Sequence, residues 1–132
     1  MEVLIVMSII LILTTAVGFM AFRYIGKARV VTAKNQIETM SLALNAYAVD
    51  CKQFPTQDQG LDALWAKPVL EPVPAHWGGP YVDKKITTDP WGHPYDYTVP
   101  GPEGLPFGIR SLGADGKEGG DGDDADLTSW AE

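Results

Sequence analysis

The chain has a single cysteine, Cys51, among its 132 residues. One thiol forms no internal disulfide and assembles no cysteine metal site. A free cysteine usually packs as a small hydrophobe, and that is the expectation for Cys51 at a helix end. Histidine is almost as scarce. His76 and His93 both fall in Pro/Gly-rich stretches, and nothing in their placing suggests a thiol–imidazole pair. Basic charge is also short, with ten Lys and Arg against seventeen Asp and Glu. The basic residues that do cluster are Arg23, Lys27, Arg29 and Lys34. They follow an apolar run and read as a membrane flank. Elsewhere no Lys/Arg cluster offers phosphates a binding surface, so a nucleic-acid partner is not expected. Proline is missing from Val3 to Lys52, and glycine occurs there only at positions 18 and 26. Nothing in that span breaks a helix.

Val3 to Phe22, "VLIVMSIILILTTAVGFMAF", carries no charge. About 20 apolar residues make a helix of about 30 Å, enough to cross a bilayer core. A secretory signal would open on basic residues and have a shorter apolar region. Here Glu2 precedes the run, so a retained anchor is expected. Glu2 can sit at the headgroups, helped by the helix dipole, or pair with a positive group of another molecule. Its position alone leaves both open. The basic flank would place the C-terminal side in the cytoplasm, whereas a removed basic leader would reverse that orientation. Beyond the anchor, Val30, Ala33, Ile37, Met40, Leu44 and Tyr47 recur at three- and four-residue steps. This is the stripe of an amphipathic helix. One helix of about 50 residues, roughly 75 Å long, is predicted. Residues 1–22 are its membrane and assembly half, and 23–132 form the water-exposed domain.

Pro55 is expected to stop this helix and Thr56 to cap a short one carrying Leu61, Leu64 and Trp65. A loop follows. Tyr95–Val99 and Phe107–Ser111 read as strands of a hairpin turning at Gly101–Leu105. The predicted core is Ile37, Met40, Leu44, Leu61, Leu64, Trp91, Tyr95, Tyr97, Phe107 and Ile109. The expected class is α+β, a long helix packed on a small antiparallel sheet.

The segment "SLGADGKEGGDGDDAD" (Ser111–Asp126) holds six acids against one lysine, five of the seven net negative charges. An EF-hand starting at Asp121 fails, because Ala125 and Asp126 stand at positions five and six. A disordered acidic tail is one reading. A glycine-rich loop curling its carboxylates and carbonyls around a hard cation such as calcium is the other. Leu127 and Trp130, apolar and just beyond, favour the loop.

Taken together, Glu2 opening an apolar helix, "PTQDQGLDAL", "GPY", "DPWGHPYDY", "SLGADGKEGG" and "ADLTSW" resemble the major pseudopilins of type II secretion systems, within the type IV pilin-like superfamily. The likeness runs along nearly the whole chain. It implies a structural subunit, not an enzyme, that waits in the inner membrane with its domain in the periplasm. Copies then polymerise through the N-terminal helix, alongside minor pseudopilins and the inner-membrane platform. The filament drives folded proteins across the outer membrane. Glu2 matches the family carboxylate that attracts a neighbour's terminal amine. The family glutamate follows several mature residues, so a leader and cleavage point are expected outside this sequence. The likeness also implies calcium. It points to the Leu112 carbonyl and Asp115 through "SLGAD" and to Asp126 through "ADL..W". Asp123 and Asp124 fall where the family loop varies in length. The alternatives are a type IV pilus subunit for adhesion, motility or DNA uptake, a membrane-anchored periplasmic enzyme, and a tethered calcium sensor.

Overall fold

The computed structural model describes residues 1–131. Helix α1 runs Glu2–Cys51 without interruption, about 75 Å at 1.5 Å per residue. It ends four residues ahead of Pro55. Lys52 takes a left-handed conformation (φ 67°) and returns its N–H to the Ala48 carbonyl at 2.9 Å. This local cap, rather than the proline, terminates the helix.

In the first half of α1 the large apolar side chains from Val3 to Ile25 are exposed. Its hydroxyls are satisfied internally. Ser8, Thr14 and Thr15 donate to carbonyls four residues back at 2.7–2.8 Å. A helix surrounded by lipid needs that, because no water reaches those groups. In the second half, Ala33, Ile37, Met40, Ala43, Leu44 and Tyr47 are buried. The predicted stripe is therefore the face that carries the domain.

Three short antiparallel strands form one sheet in the order β1 (Asp96–Thr98), β2 (Gly108–Ser111), β3 (Leu127–Thr128). Tyr97 faces Ile109 across β1–β2, and Ser111 faces Leu127 across β2–β3. The hairpin is as expected. Strand β3 was not foreseen, since two residues leave no periodicity to read. Ile109, Tyr95 and Tyr97 close over Met40, Leu44 and Tyr47, with Ala63, Leu64 and Val82 completing the core. Leu61 and Phe107 pack at its edge, half-buried.

The expected short helix is present, but its cap and two of the tryptophans differ from expectation. The segment after Pro55 is a single 3₁₀ turn, Leu61–Leu64, entered from Gly60 with no side-chain cap. Thr56 caps nothing there. Its Oγ1 accepts from the Gln59 N–H at 3.2 Å in a turn one step earlier, and Trp65 stays 39% exposed. Trp91 also stays outside the core cluster, half-buried. Hydrogen bonding of the Asp89 turn sets its backbone, and that turn faces the acidic loop rather than the helix stripe.

The long loops are fixed by two glutamine side chains, Gln59 buried and Gln57 exposed. Gln59 accepts from Thr56 N–H and donates to the Leu70 and Pro72 carbonyls, all at 2.9 Å. Gln57 lies along the outer edge of β1. It donates to the Tyr97 carbonyl and accepts from Val99 N–H, so its amide stands in for a neighbouring strand. A free sheet edge invites pairing with other chains, and this contact covers it.

Candidate functional site

The acidic segment is folded, and its fold is tied to "DPWGHP". Asp89, buried at 4% exposure, is the hub. Its Oδ1 accepts from Trp91 N–H (3.1 Å) and His93 N–H (2.9 Å), and its Oδ2 accepts from Ser111 Oγ at 2.7 Å. Gly113 N–H in turn donates to Ser111 Oγ at 3.3 Å. Two motifs some twenty residues apart in the chain thus meet at the root of the loop. His93 adds a second tie, with Nδ1 3.2 Å from the Gly113 carbonyl.

From this root the loop leaves β2 and returns as β3. Ala114 N–H donates to the Asp123 carbonyl at 2.8 Å and closes the loop's neck. Gly113 has φ 75°, and a Cβ there would come within 2.8 Å of the Ala125 carbonyl and 2.9 Å of the Asp123 carbonyl. Only glycine fits both the conformation and the gap. On the outer side, Arg110 pairs with Asp96 (2.9 Å) and Glu118 (3.2 Å). Asp96 first, and Glu118 after it, hold the guanidinium charge more firmly than usual.

The predicted loop residues do not form one carboxylate cluster. Among the described residues no three His, Cys, Asp or Glu side chains gather as a ready metal group. Asp115 is exposed, and its Oδ1 accepts from Lys117 N–H at 3.1 Å. Leu112 is half-buried just before it. Asp126 is half-buried; one oxygen accepts from Gly119 N–H at 3.3 Å. Asp123 turns away and its carboxylate lies against α1 at Gly26, where an added Cβ would be 2.3 Å from Oδ2. The missing side chain of Gly26 makes room for this contact. Asp124 is exposed and packs its Cβ beside Gly120.

Two oxygens here are buried without a hydrogen-bond partner, Asp126 Oδ1 and Thr128 Oγ1. A buried carboxylate oxygen left unpaired costs free energy on the order of 1–3 kcal/mol or more. A hard cation relieves such a cost, since its preferred ligands are carboxylate, carbonyl and other neutral oxygens. Carboxylate, carbonyl and hydroxyl oxygens, the types such an ion accepts, are all present in this segment. Thr128 was not anticipated. A threonine two residues past an acid is unremarkable until folding buries its hydroxyl.

At the other end of the molecule, Glu2 sits in the first turn of α1, exposed, with no side-chain cap on that terminus. About five and a half turns of uncharged helix follow it. By length and composition α1 can cross a membrane, and none of its apolar window is buried. Elsewhere, an open groove of about 1070 Å³ runs between the Gln57–Asp62 turn and β1. Of its three acids, Asp96 pairs with Arg110 and Asp62 with Lys85, and no residue of the acidic loop lines it.

The sequence matches the family model described as "Type II secretion system (T2SS), protein G" over residues 20–130. The chain belongs to the type II secretion protein G family. It is 42% identical to the type II secretion system core protein G of Pseudomonas aeruginosa over 129 residues, covering 98% of this chain and 90% of that one. To the protein of the same name from Vibrio cholerae it is 39% identical, over 95% of this chain and 86% of the other. Its structure resembles the crystal structure of the major pseudopilin from the type 2 secretion system of enterohaemorrhagic Escherichia coli. That likeness has a TM-score of 0.65 at 30% identity, covering 79% of this chain and 88% of the other. The long helix on a three-stranded antiparallel sheet is thus a protein G family fold.

Proposed function

We propose that this chain is a structural subunit of a type II secretion pseudopilus, polymerising through the first half of α1. The observation that carries the reading is that half-helix. It is apolar on every side and exposed from Val3 to Ile25, so it needs lipid before assembly and other copies of itself afterwards. Membership of the protein G family supports the same reading. The proposed location is the inner membrane, with the domain in the periplasm. The assembled filament works with minor pseudopilins and the inner-membrane platform to move folded proteins outward.

Glu2 is assigned the assembly step. Its carboxylate, held at the lip of the apolar helix, would pair with the terminal amine of a neighbouring copy. An unpaired charge entering a helix bundle is costly, so pairing selects the correct axial position.

Calcium is assigned to the acidic loop. The Leu112 carbonyl, Asp115, Asp126 and Thr128 Oγ1 would hold it, with Asp123 and Asp124 lending charge and backbone oxygens nearby. When bound, the ion neutralises the carboxylates and ties the two ends of the loop together. The protein's own part is to hold the neck closed through Ala114–Asp123 and the root fixed through Asp89–Ser111. The role is structural: with one cysteine no internal disulfide can tie this end, and the ion would add to the Arg110–Glu118 pair.

Deletion of the gene in its host tests the reading. Exported enzymes should remain inside the cell while surface motility is unaffected. Normal export together with lost motility would favour the type IV pilus alternative instead.

A further inference from the structure

Four side chains around the end of the uncharged run form a cleft on α1. Met20, Arg23, Tyr24 and Lys27 enclose about 170 Å³, and all four are exposed. Their three-, four- and seven-residue spacing puts them in one sector of the helix, about 100° wide. The centre of the buried stripe, at Ala33, Ile37 and Leu44, lies outside that sector. Among the described residues the ion pairs are those of Lys85 and Arg110, and neither Arg23 nor Lys27 takes part in one. Asp123, whose carboxylate lies against the helix at Gly26, is on the domain side. Both cations therefore face outward without a carboxylate of the chain.

Depth decides what can supply the missing anion. Arg23 and Lys27 stand about 1.5 and 7.5 Å beyond Phe22 along the helix axis. The headgroup layer on each side of a bilayer core is about 5–7 Å thick. Lys34, about 18 Å beyond Phe22, is clear of it. We propose that this cleft binds the headgroup phosphate of an anionic phospholipid, in the leaflet next to the domain. Arg23 offers the phosphate oxygens a planar fork of donors, and Lys27 a mobile point charge. Met20 rests against the upper acyl chains. Tyr24, apolar in body and polar at its tip, sits at the boundary as interfacial aromatics do. Two cations favour a headgroup of net negative charge over a zwitterionic one, whose own ammonium already offsets its phosphate. The bound lipid fixes the depth of the anchor and its rotation, and so the direction in which the domain faces. This needs α1 in a bilayer but does not need the polymer.

The test uses the full chain in nanodiscs holding equal amounts of phosphatidylglycerol and phosphatidylcholine. Native mass spectrometry counts the lipids that stay bound. Phosphatidylglycerol adducts should exceed phosphatidylcholine adducts by about 5–30-fold, from two basic side chains near the surface. Arg23→Gln with Lys27→Gln should remove the preference while the domain keeps its trypsin resistance. Arg29→Gln with Lys34→Gln, the same loss of charge outside the cleft, should leave it in place. Equal binding of the two lipids by the unaltered chain would overturn the proposal. So would an equal loss in both double variants, which would mean diffuse attraction with no site. A third arm places the chain in neutral detergent with inorganic phosphate and no lipid. No adduct is expected there. A phosphate adduct abolished by the Arg23/Lys27 change, without any lipid preference, would make this a site for free phosphate and overturn the lipid assignment. A chain that does not enter the nanodisc would refute the anchor itself, and the headgroup site with it.

Discussion

Ser111 Oγ donates a 2.7 Å hydrogen bond to Asp89 Oδ2, both side chains buried, and this bond joins the "DPWG" turn to the root of the acidic loop. Ser111→Ala leaves a carboxylate oxygen buried without a donor. The expected loss is about 1–3 kcal/mol. For a domain of this size that is a fall in Tm of roughly 4–8 °C for each kcal/mol. Thermal melting of the full chain in detergent checks it, and Ser111→Thr should restore much of the loss.

Calcium should raise the melting temperature, because a ligand of the folded state stabilises it by mass action, about 2.7 kcal/mol at a hundredfold excess over Kd. Asp126→Ala should abolish that rise and Thr128→Val should weaken it. Differential scanning calorimetry with calcium and with a chelator reads both. An identical Tm in the two conditions would refute the assignment.

Tyrosines set the alkaline limit. Burial first, then the neighbouring Cys51 thiol, pushes the Tyr47 phenol up to about 12 from 10.0. Tyr81 also rises to about 12. Burial leads there, opposed by the Gly78 N–H that donates to it and reinforced by its own hydrogen bond to Asp50. Tyr95 and Tyr97 shift in the same direction, mainly by burial. A raised phenol holds its proton more tightly folded than unfolded. This stabilisation is complete below about pH 10 and is lost as pH climbs through about 12. Denaturant unfolding at stepped pH should show a plateau and then a fall. Tyr47 Oη has no hydrogen-bond partner, so Tyr47→Phe should cost little at neutral pH and soften the alkaline fall.

Glu2→Leu should leave membrane insertion and domain folding intact while cutting polymer about tenfold or more, in line with coupling energies of close charge pairs. Counting sedimentable filaments against membrane-bound monomer separates the two effects. Equal filament yield would remove Glu2 from assembly.

The sequence alone was enough for the long helix, its two halves and the hairpin. These rest on local rules: an uncharged run long enough for a bilayer, a three-and-four-residue stripe, and strands bounded by Gly and Pro. It also marked the acidic loop, since glycine and aspartate in alternation are visible without a fold. Family motifs such as "QGL" and "SLGADG" could be seen, but their work could not. Gln57 bonds to β1, Gln59 to the Leu70–Pro72 backbone and Asp89 to Ser111. Those partners lie far along the chain, and their meeting is decided by packing. The same holds for Thr128, whose hydroxyl becomes an orphan only when β3 adds to the sheet. It holds for Asp123, which turns to α1 only because Gly26 leaves room. Periodicity and charge act between near neighbours and can be read along a chain. Satisfying a buried polar group depends on which distant atoms folding brings within reach, and only the tertiary structure decides that.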